Sequence, residues 1–262
     1  MGDLGRLGTA RWTLPLKVLG APASVHLGWT LVAALVGWSM AMGSLPTVYA
    51  GLTYETYWVM TAIVILGLGL SVLAHAFVQA LAARAMGVSL QRITFYVFGG
   101  VGELQEDPRS ALSELGMALC GPLLSLLFCA VIAFAAGASE AAGAPDMVVG
   151  SLTFIATLNL VMAAFNLLPA FPLDGGRALR AVTWMITGDL ERATRVSTGV
   201  GVALSFLLMA AGAAQAFLGN LEGGLWTILI GIFLQHVARG AQFEADRRQI
   251  LAAHRLATPA AG

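Results

Sequence analysis

Apolar residues in this chain run in long blocks parted by short charged clusters. Stretches free of Asp, Glu, Lys and Arg extend from Leu27 to Pro46, Tyr57 to Ala83, Leu115 to Ser139, Met147 to Leu173, Val196 to Leu221 and Gly223 to Ala238. A helix needs roughly 20 apolar residues to cross bilayer hydrocarbon. The first five blocks therefore predict spanning helices, and the sixth is marginal. One stretch breaks the pattern. Ile93-Thr-Phe-Tyr-Val-Phe98 is β-branched and aromatic, Gly99-Gly100 follows, and Val101-Gly-Glu-Leu104 closes it. This predicts a strand, a glycine turn and a second short strand between spans two and three. Such a hairpin either stays outside the bilayer or dips into it against protein or a wet cavity.

Composition sharpens the picture. The 262 residues are 58% hydrophobic and 11% charged, with a mean hydropathy of +0.82, whereas soluble chains carry roughly 25% charged residues. A soluble globule is excluded, and the fold class expected is an all-α polytopic membrane protein of about six helices. Net charge is zero and no basic tract exists, which argues against nucleic acid as a partner. In a six-span arrangement all fourteen Lys and Arg residues fall on one face, while the other carries Glu55, Glu140, Asp146 and Glu222. The positive-inside rule puts the arginine face and both termini in the cytoplasm. The expected division is a cytoplasmic segment over 1–26, a membrane domain over 27–238 and a cytoplasmic tail over 239–262. Leu27 onward is too long for the apolar core of a cleavable leader, and no domain is expected after Leu251. One Lys against thirteen Arg in an Ala-rich chain suits a GC-rich bacterial genome, and with the spans the expected location is a bacterial inner membrane. Cys120 and Cys129, nine apart in one apolar run, would stand about 13 Å apart along a helix, too far for a disulfide.

Three groups of polar residues stand where hydrocarbon is expected. His75 and Gln79 share a helix face at i, i+4 spacing. Ionisable groups at membrane depth tend to face a bundle interior or a pathway; the plainer alternative is interhelical hydrogen bonding. At the end of span four, Pro169 and Pro172 cannot continue a helix, Gly175-Gly176 allows a tight bend, and Asp174 is the first charged residue after Asp146. Opened backbone beside an acid fits a cavity, or an interfacial helix stop with a solvated Asp. Gly121-Pro122, with Ser125 one turn on, reads alone as a helix start.

Together these segments resemble the site-2 protease family of intramembrane zinc metalloproteases, over about residues 20 to 185. Val25-His26-Leu-Gly-Trp29 is similar to the family's V-H-x-x-W before the first span. His75-Ala76-Phe-Val-Gln79, followed by Ala83-Arg84-Ala-Met-Gly87-Val88, resembles H-E-x-x-H-x-x-x-A-R-x-x-G-V. Phe98-Gly99-Gly100 and Glu114-Leu-Gly-Met-Ala-Leu-Cys-Gly121-Pro122 resemble the F-G-G hairpin and E-x-x-x-A-x-x-G-P. Asn166-Leu-Leu-Pro169-Ala-Phe-Pro172-Leu-Asp174-Gly175-Gly176 matches N-x-x-P-x-x-P-x-D-G-G without a break. The resemblance implies a zinc ion held by two His and the Asp, a Glu that activates the bound water, and transmembrane segments as substrates.

The match fails at the chemistry. Ala76 stands at the Glu position and Gln79 at the second His. Alanine cannot move a proton, and a neutral amide is a weak zinc ligand. Only His75 and Asp174 survive as standard ligands, and Ser125 stands where many relatives carry Asn. His26, His236 and Glu103 could approach, but none has the fixed i, i+4 geometry. The expected function is a proteolytically inactive family member that binds a transmembrane segment within membrane lipid, with zinc weak or absent. Two alternatives are an active protease altered at positions 76 and 79, and a small transporter. The latter would show paired broken helices in inverted halves, and one broken element with no internal repeat is found.

Overall fold

The computed structural model describes residues 11–18, 21–88, 90–96, 99–104, 108–171 and 173–257. It is an all-α polytopic membrane fold with a small sheet. Five helices among the described residues are long and apolar enough to cross a membrane: Tyr54–Ala85, Ala111–Ala141, Asp146–Asn166, Leu190–Phe217 and Leu221–Gly240. The chain divides into two compact units, Met1–Arg109 with Leu119–Asn166, and Ser110–Ala118 with Leu167–Gly262.

The first unit opens with strands β1 (Arg11–Val18) and β2 (Ala21–His26), which pair antiparallel with a register shift between Thr13 and Lys17. The shift brackets Pro15, which has no N–H for a ladder. Neither strand is foreseen by the hydropathy pattern of the N-terminal segment. Helix α1 (Leu27–Ser39) continues through a π-helical turn (Met40–Ser44) into α2 (Leu45–Val48). Pro46 cannot donate to the carbonyl one turn back, and the backbone widens just ahead of it, with the Leu45 N–H reaching the Met40 carbonyl. Helix α3 (Tyr54–Ala85) is capped by Thr53, whose hydroxyl accepts the Thr56 N–H at 3.3 Å. Beyond it β3 (Leu90–Tyr96) pairs in parallel with β2 and antiparallel with β4 (Gly99–Leu104), giving the sheet order β1-β2-β3-β4.

Helix α4 spans Ala111–Ala141 and carries both cysteines, which form no disulfide with each other. Helix α5 spans Asp146–Asn166. It stops short of Leu173, the end of the uncharged block that predicts it, because the segment containing Pro169 leaves the helix. α5 packs on α3: an added Cβ on Gly67 would stand 2.7 Å from Ile155 Cδ1, and one on Gly150 the same distance from Met60 Cε. Met40, Leu45, Tyr57, Met60, Val64 and Ile155 form the core there. The Tyr57 hydroxyl is satisfied by donating to the Tyr49 carbonyl at 2.6 Å.

The second unit contains a helix that the block pattern does not predict, α6 (Asp174–Thr187), whose arginines suggest a connecting loop. Gly188, with φ +68°, ends it in the left-handed conformation, and Asp189 caps α7 (Leu190–Phe217) by accepting the Arg192 N–H at 3.0 Å. Helix α8 runs from Leu221 to Ala257, so the polar tail expected after Ala238 is helical for most of its length. α7 and α8 meet backbone to backbone, an added Cβ on Gly212 falling 2.6 Å from the Gly224 carbonyl oxygen. Small residues permit such close approach between membrane helices.

Candidate functional site

The first unit assembles one set of the expected site residues. His75, Ala76 and Gln79 are all buried on α3, and α4 crosses them at Gly121. A Cβ on Gly121 would collide with His75 Nε2 and stand 2.7 Å from His75 Cε1 and 2.8 Å from Gln79 Nε2. A Cβ at that crossing fits only if the imidazole or the amide shifts. One turn on, Ser125 Oγ lies 2.9 Å from His75 Nδ1 and donates to the Gly121 carbonyl at 3.2 Å. The imidazole donates from Nδ1 in the tautomer that leaves the hydroxyl proton to Gly121, and accepts at Nδ1 in the other. Ser125, which in sequence is merely the replacement of an Asn, is thus a buried partner of His75.

Gly121-Pro122 is not a helix start. α4 begins at Ala111, so the buried Pro122 sits inside the helix. The discrepancy traces to Glu114, which ends the uncharged block but is itself buried in the helix. Asn166 closes α5 with its Nδ2 donating to the Met162 carbonyl at 2.9 Å. Gly99 and Gly100 lie in β4 opposite Tyr96 and Phe95. Phe98 and Pro172 lie outside the described residues. His26 and Glu103 fall in β2 and β4.

The second unit holds the Asp174 set. Asp174 is buried in the first turn of α6. Gly175 and Gly176 do not make the expected bend; they are helical and serve close approach. A Cβ on Gly175 would collide with the Leu167 carbonyl and stand 2.5 Å from the Leu168 oxygen, and one on Gly176 would collide with Phe171 N. Backbone cannot swing aside as a side-chain end can, so both positions require glycine. Ser197 of α7 donates to the Gly176 carbonyl at 2.5 Å. Pro169 is exposed in the opened segment, and His236 is exposed on α8.

Sequence reasoning misses the ion pair beside this segment. Glu114 Oε1 accepts from Arg180 Nε at 2.7 Å and from Arg180 Nη2, with Arg177 Nε 4.0 Å away. The Arg180 guanidinium also lies over Phe171, 4.8 Å from the ring centre. The i, i+3 spacing of Arg177 and Arg180 is the available signal, legible only once α6 is known to be a helix. Among the described residues, no three His, Cys, Asp or Glu side chains gather as a metal-holding group.

The profile of Peptidase family M50 matches residues 136–208, a stretch that contains Asn166 to Gly176. The chain is 34% identical over 94% of its length to Rip3 of Mycobacterium tuberculosis, and 32% identical over 83% to sll0528 of Synechocystis, both named as candidate zinc metalloproteases. It spans 63% and 56% of the lengths of those two proteins. In fold it is similar to the site-2 protease from Methanocaldococcus jannaschii, with a TM-score of 0.59, 24% identity, and coverage of 88% of this chain and 94% of that one. The unbroken Asn166-to-Gly176 motif, the relatives named as zinc metalloproteases and the shared helical architecture point the same way: the chain is similar in sequence and in fold to the site-2 protease family.

Proposed function

We propose that this chain is a member of that family that binds a transmembrane segment of another protein in the bilayer without hydrolysing it. The observation that carries the reading is Ala76: a buried methyl group follows His75 where peptide hydrolysis needs a carboxylate. A zinc-bound water must lose a proton to a base and the leaving amine must gain one, and a methyl group can do neither.

The residues present do not fit the family's catalytic zinc. Two imidazoles one helical turn apart supply half of a tetrahedral shell; here α3 offers one imidazole and one amide, His75 and Gln79. Loss of an outer-shell partner alone costs about 10–100-fold in metal affinity, and loss of a ligand costs more. The opened segment around Pro169 supports retained binding, because irregular backbone at membrane depth needs a protein-lined or wet surrounding. The arginine distribution supports cytoplasmic termini, in a bacterial inner membrane.

The test is reconstitution of the full chain in vesicles with a single-span peptide that carries a photoreactive residue. Cross-linked adduct at full peptide length supports the reading. Absence of adduct refutes the binding half, and peptide fragments refute the inactive half.

A further inference from the structure

We infer that Glu114 and Arg180 are positioning residues that pin the opened segment from Leu167 to Phe171 and set where Asp174 begins α6. Glu114 is wholly buried in the first turns of α4, yet its carboxylate caps nothing there: among the described residues, Oε1 takes both contacts from Arg180, and Oε2 accepts no hydrogen bond. Its polar contacts are directed to α6. Arg180 in turn reaches back along the chain, its guanidinium over the Phe171 ring. One planar cation thus joins the start of α4, the body of α6 and the loop before Asp174. Guanidinium suits this task because it stays charged, forks onto a carboxylate and stacks on aromatic faces at once.

A buried ion pair is a poor choice for stability alone, since apolar residues of similar volume often serve as well, and in hydrocarbon the desolvation cost is higher still. What the pair supplies is direction. Two further ties act on the same stretch: the glycine contacts of Gly175 and Gly176 with the 167–171 backbone, and the Ser197 bond to the Gly176 carbonyl. Those two act on the first turn of α6 and on backbone, that of Phe171 included, whereas the Phe171 ring is reached by Arg180. The inference rests on the binding reading above only for what the segment is used for.

The experiment places one cysteine, Leu168→Cys, in a full chain carrying Cys120→Ser and Cys129→Ser, and measures its rate of N-ethylmaleimide labelling in vesicles without any bound peptide. Leu207→Cys, at an exposed site on α7, is the remote control. Glu114→Gln and Arg180→Met are expected to raise labelling at 168 at least tenfold and leave 207 unchanged. Phe171→Leu, which keeps the ion pair, and Arg180→Lys, which keeps the charge, are expected to raise it several-fold. These two milder variants carry the test if the others fail to fold. Unchanged labelling at 168 in folded variants overturns the inference, as does an equal rise at both sites, which marks general loosening. Because no peptide is present, the labelling rates are equally readable for a chain that binds nothing.

Discussion

Ser125 Oγ and His75 Nδ1, 50 residues apart in sequence, lie 2.9 Å from each other in a buried seam between α3 and α4. The pair makes the histidine a structural participant whether or not a metal ever reaches it. Ser125→Ala should therefore destabilise the protein by about 1–3 kcal/mol, since a buried ring nitrogen loses this partner. A double-mutant cycle with His75→Ala, read by chemical unfolding in detergent, should give a coupling of about 0.5–3 kcal/mol. Additive effects would mean that the two side chains do not interact.

Gly121 is the notch that admits the seam. Gly121→Ala places a methyl group against His75 and Gln79, and overpacking of this kind costs about 1–3 kcal/mol. Gln79→Ala in the same chain should recover part of that loss. Thermal unfolding of the single and double variants checks this, and an undisturbed Gly121→Ala protein would contradict the crossing described.

Two glycines on neighbouring helices should respond in opposite ways. Gly176→Ala drives a methyl group into the Phe171 backbone and should cost at least about 3 kcal/mol. Gly199 on α7 has nothing within 4 Å of an added Cβ, and Ala there should be neutral or stabilising by up to about 1 kcal/mol. Parallel melts of the two variants decide.

Asp189 caps α7 from an exposed position. Asp189→Ala should lower stability by about 1 kcal/mol and Asp189→Asn by much less, because the cap needs an acceptor oxygen rather than a charge. Thermal unfolding of the two variants separates these outcomes.

Local signals decide which parts of the molecule are legible in its sequence. Among the described residues the second to sixth uncharged blocks locate the long helices, whereas the first, Leu27 to Pro46, divides into α1, a π-helical turn and α2; Pro169 marks where α5 stops. The strand β1 is not legible: Trp12, Leu14, Leu16 and Val18 alternate, but Pro15 in their midst hides the pattern. Helix α6 is obscured because a segment with two arginines in an apolar chain resembles a loop until Glu114 is seen to pair with them. That pairing joins residues 66 apart, and the bond of Ser125 to His75 joins residues 50 apart; neither leaves a trace in spacing. The start of α4 is hidden for the same reason, a buried carboxylate imitating a boundary. That an alanine stands at position 76, by contrast, is read directly from the sequence.

Hydrolysis itself is tested by a single-turnover cleavage assay of the purified chain, supplied with excess zinc and a single-span substrate, beside its Ala76→Glu/Gln79→His variant. Intact substrate and no stoichiometric tightly held zinc are expected for the chain as it stands, with metal retention restored in the double variant. Cleavage by the unaltered chain, lost on His75→Ala, would contradict the inactive reading.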